Sequence, residues 1–405
     1  MIENIENCIN TISLFERDEN DRKIDCYILD KVKAINSKVY YPDVLLKDTK
    51  REVIYNPIQE RTMSLRGVTF SDEVIYEDND VCSWVETPVF FLTYNVGNYY
   101  HFLYDTLPYL ISYFEILKRE PELKILLNYS SAGKKEFFPF VLETFKILGL
   151  EDRLVLLDDR TIYEKVYVSD SYTHGHDSNL PPREEVYKFF NLIKDEALKN
   201  ETGRAGPKKI YTSRRSWLHN KLENIGTNYT SKRVMKNESE LVAKLQKKGY
   251  VEVFTENMTM VDKIKLFDGA ESVVGMIGGG IANVLFSPKK TKLFAVISPG
   301  FLDINARFIF CLEKQELQLI CDTQHIEKTE FKTFMRVSFG DGYGEIYDME
   351  GDNLKVNYAT QKIAGWEQGA EYETITLHKD ECTKLDQGLN SPFVLDIEKA
   401  MRQIK

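Results

Sequence analysis

The stretch ESVVGMIGGGIANVLF, residues 271–286, joins an apolar run to three consecutive glycines and then to a second apolar run. The first run is typical of a buried strand, and the second is typical of a helix that begins at the glycines. Glycine lets a backbone approach a phosphate closely, and N–H groups at the start of a helix bind anions. The spacing is not G-x-G-x-x-G, so it does not indicate a nicotinamide cofactor. The stretch predicts a strand–turn–helix unit that is either a phosphate site or a tight turn without a ligand.

The same alternation of strand and helix extends on both sides of this stretch. Upstream, KIYTSR and VEVF are typical of strands, and NESELVAKLQKKGY between them predicts a helix capped by Asn237. TMVDKIKLFDGA predicts another helix, capped by Thr259, and TKLFAVISP predicts the strand after the glycine turn. Strands and helices that alternate at this spacing predict a parallel sheet with helices on both faces.

Residues 87–199 show a similar rhythm, which indicates a second unit of the same α/β class. The polar stretch NETGRAGPKK, which contains glycine and proline, is typical of a linker between the two. We therefore predict two Rossmann-like parallel-sheet domains, a β-rich insertion near the C-terminus and a closing helix. Their ranges are 1–203, of which 1–90 form a β-rich edge, then 204–324, 325–388 and 389–405.

The composition excludes several classes of protein. Hydrophobic residues make up 43% of the 405 residues and charged residues 29%, which is typical of a folded globular chain. A net charge of −10 argues against a nucleic-acid-binding protein, which usually carries a basic face. The acidic N-terminal residues do not resemble a signal peptide, and no apolar run reaches the roughly 18 residues of a membrane span. We therefore expect a cytoplasmic protein without a membrane span, and leave a homodimer open.

A basic cluster follows one predicted strand and precedes the next helix. It contains Arg214, Arg215, Lys232 and Arg233. Loops at the carboxyl ends of parallel strands bind ligands, and arginine side chains suit a diphosphate. The alternative interpretation is a solvated basic loop.

The motif GNYYHFLYDTLP places His101 and Asp105 four residues apart at the start of a predicted helix, so that they share one face. Either side chain could take a proton from a hydroxyl group. The alternative interpretation, which residue types alone favour, is a capping and packing motif. His174 with His176, and the acidic triplet 78–80, are weak candidates for a metal site.

These stretches, in this order, resemble glycosyltransferase family 61. The resemblance covers residues 87–320 and the closing SPFVLDIEKAM, and rests on NYYHFLYDTLP, IYTSRR, RVMKNESEL, TMVDKIKLFDGAESVVG and GGGIANVLF. It implies a GT-B fold, in which two domains face each other across a cleft, with the acceptor domain first and the nucleotide-sugar domain second. It also implies an inverting hexosyl- or pentosyltransferase of polysaccharide biosynthesis that uses a UDP-sugar, needs no metal or cofactor and acts on a glycan or glycosylated acceptor.

The resemblance also implies roles for individual residues. His101 and Asp105 would be catalytic, with Asp105 the marginal first choice as base. The donor would be bound by the arginines, the Asn-Glu pair and the glycine turn, and the Asn-Glu pair would either order the loop of the arginines or touch the nucleoside. These residues are Arg214, Arg215, Arg233, Asn237, Glu238, Gly278, Gly279, Gly280 and Asn283.

Two positions depart from the family pattern. Ile277 stands where the family usually has a histidine, and Val296 stands where it often has a glutamate. These departures suggest the alternative of a catalytically inactive protein that binds a sugar nucleotide or glycan. Two further alternatives stay open: a retaining enzyme of the same fold, and a structural or lectin-like module built on the β insertion.

Overall fold

The computed structural model describes seventeen segments of the chain. They are residues 10–19, 22–35, 38–40, 83–92, 96–127, 137–158, 161–173, 182–201, 206–215, 233–299, 316–325, 330–331, 333, 336–340, 342–359, 372–384 and 392–405. These residues form a mixed α/β structure with parallel sheets, as the sequence predicts. The chain divides into two compact units, Met1–Glu201 and Thr202–Lys405. Within the described segments, no helix combines the length and the apolar character that crossing a membrane requires.

The first unit is built on an eight-stranded sheet. Its strands are β1 (Asn10–Phe15), β2 (Ile24–Ile35), β3 (Lys38–Tyr40), β4 (Ser83–Val85), β5 (Val89–Leu92), β6 (Lys124–Leu127), β7 (Leu154–Leu156) and β8 (Thr161–Ser169). The main path has the order β1-β2-β8-β5-β6-β7, and β3 and β4 pair with β2 and β8. Strands β4 to β8 pair in parallel, whereas β1, β2 and β3 add an antiparallel edge. Parallel pairing in the centre is consistent with a Rossmann-like arrangement.

Helices cover this sheet because its central strand is apolar on both faces. The helices are α1 (Tyr99–His101), α2 (Tyr109–Leu117), α3 (Pro139–Ile147) and α4 (Glu184–Leu198). All four residues of β5 are buried, as expected for a parallel strand packed on both sides. Val89 and Phe91 contribute to one core cluster, and the Phe90 ring packs edge-on against Tyr113 of α2 with the ring centroids 5.9 Å apart. This packing places α1 and α2 directly after β5, at its carboxyl end.

A π-helical turn, Phe102–Thr106, connects α1 to α2. The Leu107 N–H donates to the Phe102 carbonyl oxygen at 2.9 Å, which is the wide i to i+5 bond. Pro108 follows at once, and because proline has no N–H the regular helical ladder cannot continue through it. The sequence predicts a helix at this motif, but not its π geometry. Such turns occur frequently at functional sites.

The second unit contains a five-stranded sheet in which every pairing is parallel. Its strands are β9 (Lys209–Thr212), β10 (Val251–Val253), β11 (Ser272–Met276), β12 (Lys292–Val296) and β13 (Glu316–Ile320), in the order β10-β9-β11-β12-β13. The helices among them are α5 (Glu238–Lys247), α6 (Met260–Asp268) and α7 (Gly279–Ala282). Thr259 caps α6 by accepting from the Asp262 N–H, which confirms the sequence prediction.

The predicted insertion contains a separate antiparallel sheet. After β14 (Thr323–His325), the strands are β15 (Arg336–Phe339), β16 (Gly342–Glu350), β17 (Asn353–Ala359), β18 (Tyr372–His378) and β19 (Thr383–Lys384), paired in the order β18-β17-β16-β15-β19. Val337, Ile346, Leu354 and Val356 form its core. This sheet has its own core cluster, distinct from that of the parallel sheet.

The closing segment, residues 392–405, returns to the core of the second unit. Strand β20 (Phe393–Leu395) pairs antiparallel with β14, and α8 (Ile397–Gln403) follows it. Phe393, Leu395, Ile397 and Ala400 are buried in the same cluster as the apolar side chains of α5. The closing segment therefore completes the hydrophobic core on the α5 face of the sheet.

Asn237 fastens this segment to the start of α5. Its Nδ2 donates to the Leu395 carbonyl oxygen at 2.8 Å, and its Oδ1 accepts from the Leu395 N–H at 3.1 Å. Because both ends of the amide are used in this way, the side chain makes no capping bond to α5. The prediction that Asn237 caps the helix is therefore wrong, although Asn237 does occupy the position before it.

We expect Phe393→Ala to destabilise the second unit by about 3–5 kcal/mol, because it removes a fully buried ring from the core cluster. Urea unfolding followed by near-UV circular dichroism would measure the change. Val251→Thr is the matched control, since Val251 lies on the edge strand β10 with 47% of its surface exposed. An unfolding midpoint for Phe393→Ala equal to that of Val251→Thr would contradict the structural role of the closing segment.

Candidate functional site

The carboxyl ends of β9, β10 and β11 bring the predicted donor-side residues of the second unit together. These three strands are neighbours in the sheet, and ligands bind parallel sheets at this edge. The segments that follow them contain Arg214, the 3₁₀ turn Thr255–Asn257 and the glycine turn 278–280. The sheet therefore brings to one edge residues that are widely separated in the sequence.

The guanidinium of Arg214 and the hydroxyl groups of two threonines lie beside the glycine turn. Gly278 has φ +152° and ψ −170°, a backbone conformation that L side chains rarely adopt. A Cβ atom at this position would lie 3.3 Å from Nη1 of Arg214, so the guanidinium lies directly against the turn. A Cβ atom at Gly280 would lie 3.3 Å from Oγ1 of Thr255 and 3.8 Å from Oγ1 of Thr212. Positive charge, hydroxyl groups and glycine backbone thus meet at one place.

The buried carboxylate of Glu238 organises the loop that carries Arg214. Its Oε1 accepts from the Tyr211 hydroxyl at 2.9 Å, from the Ser213 hydroxyl at 3.0 Å and from the Arg214 backbone N–H at 2.9 Å. Burial raises the pKa of Glu238 above its ordinary value, and these hydrogen bonds oppose that shift by favouring the charged form. Glu238 therefore joins the first residue of α5 to the end of β9, which supports the expectation that it orders this loop.

Arg214 carries its charge in a poorly solvated position. Burial lowers the pKa of its guanidinium, while the nearby carboxylates of Glu238 and Glu256 act in the opposite direction. An arginine remains protonated under such conditions because its ordinary pKa is so high. A cation that is held away from bulk water attracts an anion more strongly than one on the open surface. The arrangement can therefore bind an anionic group beside Gly278.

Arg215, although adjacent, has a different environment. Its Nε and Nη2 donate to the two carboxylate oxygens of Glu252 at 2.9 and 2.6 Å, and its Nη1 donates to the Ser239 hydroxyl at 2.9 Å. The hydrogen bonds to Glu252 raise the pKa of Arg215. The guanidinium thus holds the backbone after β9 against β10 and α5. This geometry favours a structural role over the donor-binding role that the sequence suggests.

Arg233 directly precedes residues 234–237, which bind the closing segment. Among the residues that the structure describes, it is the one non-glycine with a positive φ, +54°, and only 8% of its surface is exposed. Such a conformation costs on the order of 1–3 kcal/mol and persists where surrounding contacts impose it. Met235 forms a parallel bridge with Phe393, and Asn237 binds Leu395. The donor-binding expectation for Arg233 stays open, whereas both ends of the Asn237 amide serve the fold.

The remaining positions around the glycine turn are buried. Nδ2 of Asn283 donates to the Gly280 carbonyl oxygen at 2.9 Å, which ties the end of α7 to its beginning. Ile277 and Val296, the two departures from the family pattern, are both buried, and the Ile277 N–H donates to the Val296 carbonyl oxygen at 3.0 Å. Ile277 and Val296, which both depart from the family pattern, are therefore neighbours at the ends of the paired strands β11 and β12.

In the first unit, His101 and Asp105 form a hydrogen-bonded pair. Nδ1 of His101 lies 2.6 Å from Oδ2 of Asp105, and the Thr173 hydroxyl donates to Oδ1 of Asp105 at 3.2 Å. The Asp105 side chain is fully buried, whereas 29% of the His101 side chain is exposed. Asn98 accepts from the Tyr100 and His101 N–H groups and so fixes the start of α1. This arrangement can orient one imidazole tautomer towards a substrate.

Several weaker candidates lie outside the described residues. They are Lys232, His174, His176 and the acidic triplet 78–80. In the part of the chain that the structure describes, no three His, Cys, Asp or Glu side chains are grouped so as to hold a metal ion.

Sequence reasoning missed three threonines. Thr212 and Thr255 face the glycine turn, and Thr173 contacts Asp105. Each lies at or just beyond the carboxyl end of a parallel strand, which is the one signal that could have indicated it. Threonines are common at the carboxyl ends of parallel strands, so this position by itself does not identify a functional residue.

One family of known proteins is similar to part of this chain. The family model described as Glycosyltransferase 61 matches residues 99–294. The matched span begins at α1 and ends in β12, and it includes both the His101–Asp105 pair and the glycine turn. No curated protein matches the chain.

We expect Glu238→Ala to destabilise the second unit by roughly 3 kcal/mol, because it leaves three donors without their acceptor, two of them in buried side chains. Glu238→Gln is the matched control, because it keeps an acceptor oxygen and removes the buried charge. Chemical unfolding at neutral pH would measure both changes. Equal losses in the two variants would show that the charge, and not the acceptor oxygen, holds the loop.

Proposed function

Since the chain belongs to glycosyltransferase family 61 over residues 99–294, we propose that it transfers a sugar from a UDP-sugar to a hydroxyl group of a glycan or glycosylated acceptor. The proposal includes inversion at the anomeric carbon, no requirement for a metal, and the GT-B architecture that the resemblance implies. A family of glycosyltransferases implies a donor and an acceptor substrate. The residues described above supply the chemistry that each substrate needs.

One observation carries the proposal: the guanidinium of Arg214 lies against Gly278 at the carboxyl edge of the parallel sheet. Transfer from UDP-sugar builds negative charge on the departing diphosphate, and preorganised donors stabilise that charge. Arg214, the backbone N–H groups of the turn and the hydroxyls of Thr212 and Thr255 are such donors. With this set, no metal ion is needed to neutralise the leaving group.

The hydrogen bonds in the first unit favour His101 as the general base. The sequence makes Asp105 the marginal first choice, but its carboxylate is fully buried and accepts from two side chains. An ionised Asp105 requires that Nδ1 of His101 carry the proton, so Nε2 is the nitrogen that accepts one. Asp105 then orients the imidazole and stabilises the imidazolium that forms.

The reaction that follows is a single in-line displacement. The acceptor oxygen forms a bond to the anomeric carbon while the bond from that carbon to the diphosphate oxygen breaks. The acceptor proton passes to Nε2 of His101, and UDP leaves with the electron pair. One step with one displacement inverts the configuration of the sugar.

A second candidate function has a specific observation in its favour. Ile277 and Val296 place two buried apolar side chains where the family usually has a histidine and often has a glutamate. A protein with these changes could bind a sugar nucleotide without turning it over. Release of UDP from a UDP-sugar in the presence of an acceptor distinguishes the enzyme from the binding protein.

We expect Arg214→Met to weaken UDP binding about 10- to 100-fold, because it removes charge-assisted hydrogen bonds to the diphosphate. Isothermal titration calorimetry would measure the affinity, and adding EDTA should leave it unchanged. Lys247→Met is the control, since it removes one exposed charge at the far end of α5. Equal affinities for Arg214→Met and the control would rule out Arg214 as a diphosphate ligand.

We expect His101→Ala and Asp105→Asn each to lower kcat about 10²- to 10⁴-fold, because one removes the base and the other reverses its tautomer. UDP release with a panel of UDP-sugars and glycan acceptors would measure turnover. Glu115→Gln is the control, because it changes one partly exposed charge on α2. Near-normal turnover in both site variants would remove this pair from the mechanism.

A further inference from the structure

Thr173 contacts the candidate catalytic pair from a different part of the chain. It lies four residues beyond β8, and its hydroxyl donates to Oδ1 of Asp105 at 3.2 Å. Only 7% of its surface is exposed, and the Asp105 side chain is fully buried. Each oxygen of the Asp105 carboxylate therefore has its own donor, His101 on Oδ2 and Thr173 on Oδ1.

The backbone around Thr173 is held by contacts independent of Asp105. The hydroxyls of Tyr172 and Ser112 are hydrogen-bonded at 2.9 Å in the interior, which ties this segment to α2. The Tyr172 ring also packs edge-on against Phe15 of β1, with the centroids 6.1 Å apart. The Thr173 N–H donates to the Ser171 hydroxyl at 3.3 Å. Thr173 is thus presented to Asp105 by a fixed piece of chain.

A carboxylate with a single donor can rotate about its χ2 angle, whereas one with a donor on each oxygen is restrained in that rotation. The orientation of the Asp105 carboxylate fixes the direction of the bond to Nδ1 of His101. That bond in turn fixes the plane of the imidazole and its tautomer. A small misplacement of a catalytic group lowers the rate even when substrate still binds.

We propose that Thr173 is a positioning residue for the transfer reaction: its hydroxyl locks the Asp105 carboxylate so that His101 presents Nε2 to the acceptor hydroxyl. This inference rests on the proposed function. Thr173 acts through Asp105 and does not touch the substrate. Its loss therefore lowers kcat and leaves the KM for the donor nearly unchanged.

Two substitutions separate the hydroxyl of Thr173 from its shape. Thr173→Val keeps the shape and removes the hydroxyl, whereas Thr173→Ser keeps the hydroxyl and removes the methyl group. We expect kcat to fall about 10- to 100-fold in Thr173→Val and to stay within about threefold of wild type in Thr173→Ser. A role in packing alone would reverse this order. In an Asp105→Asn background, Thr173→Val should add little further loss, because the two residues act as one unit.

A second readout does not depend on turnover. The downfield proton resonance of His101 Nδ1–H, assigned by its disappearance in His101→Gln, should persist in wild type and Thr173→Ser and be lost in Thr173→Val. Wild-type kcat in Thr173→Val, or an unchanged Nδ1–H resonance there, would overturn the inference. Failure of the wild-type protein to transfer any sugar would overturn the proposed function instead, while the resonance would still report whether Thr173 holds the pair.

Discussion

The geometry around the glycine turn of the second unit depends on the hydrogen bonds that the carboxylate of Glu238 accepts. A charge buried among apolar strands is costly unless several donors surround it. Here the donors are the hydroxyls of Tyr211 and Ser213 and the backbone N–H of Arg214, all directed at one oxygen. Because these groups come from the end of β9 and the carboxylate comes from α5, the loop between strand and helix has a defined start. The Arg214 guanidinium lies against Gly278.

The first unit uses the same principle with different residues. Asp105 is buried in a π-helical turn, and its two oxygens accept from His101 and Thr173. In both units a buried carboxylate binds a residue whose nitrogen-bearing side chain is more exposed: Asp105 binds the imidazole of His101, and Glu238 binds the backbone N–H of Arg214. The carboxylates themselves are therefore poor candidates for contact with substrate, and the side chains that they orient are the better ones. The difference in exposure between the two side chains cannot be read from residue type, so residue type alone does not show which of His101 and Asp105 is the better candidate base.

Much of the fold could be predicted from local patterns. Apolar periodicity indicates the strand and helix alternation, and the Thr259 cap depends on a residue three positions away. The remainder depends on partners that are distant in the sequence. Arg215 is captured by Glu252, 37 positions later, and Asn237 is engaged by Leu395, 158 positions later. Neither partner could be identified without the register of the sheets, so the sequence could not show that Arg215 pairs with Glu252 while Arg214 lies against the glycine turn.

The return of the closing segment has a consequence for how the protein is made. Residues 393–404 supply part of the core beneath α5 and bind the residues that precede it, yet the antiparallel sheet of the insertion is translated between them. A ribosome must therefore pass position 404 before residues 234–237 acquire their final support. Until then the nascent chain of this unit holds an incomplete core. The second unit would therefore complete its core late in biosynthesis.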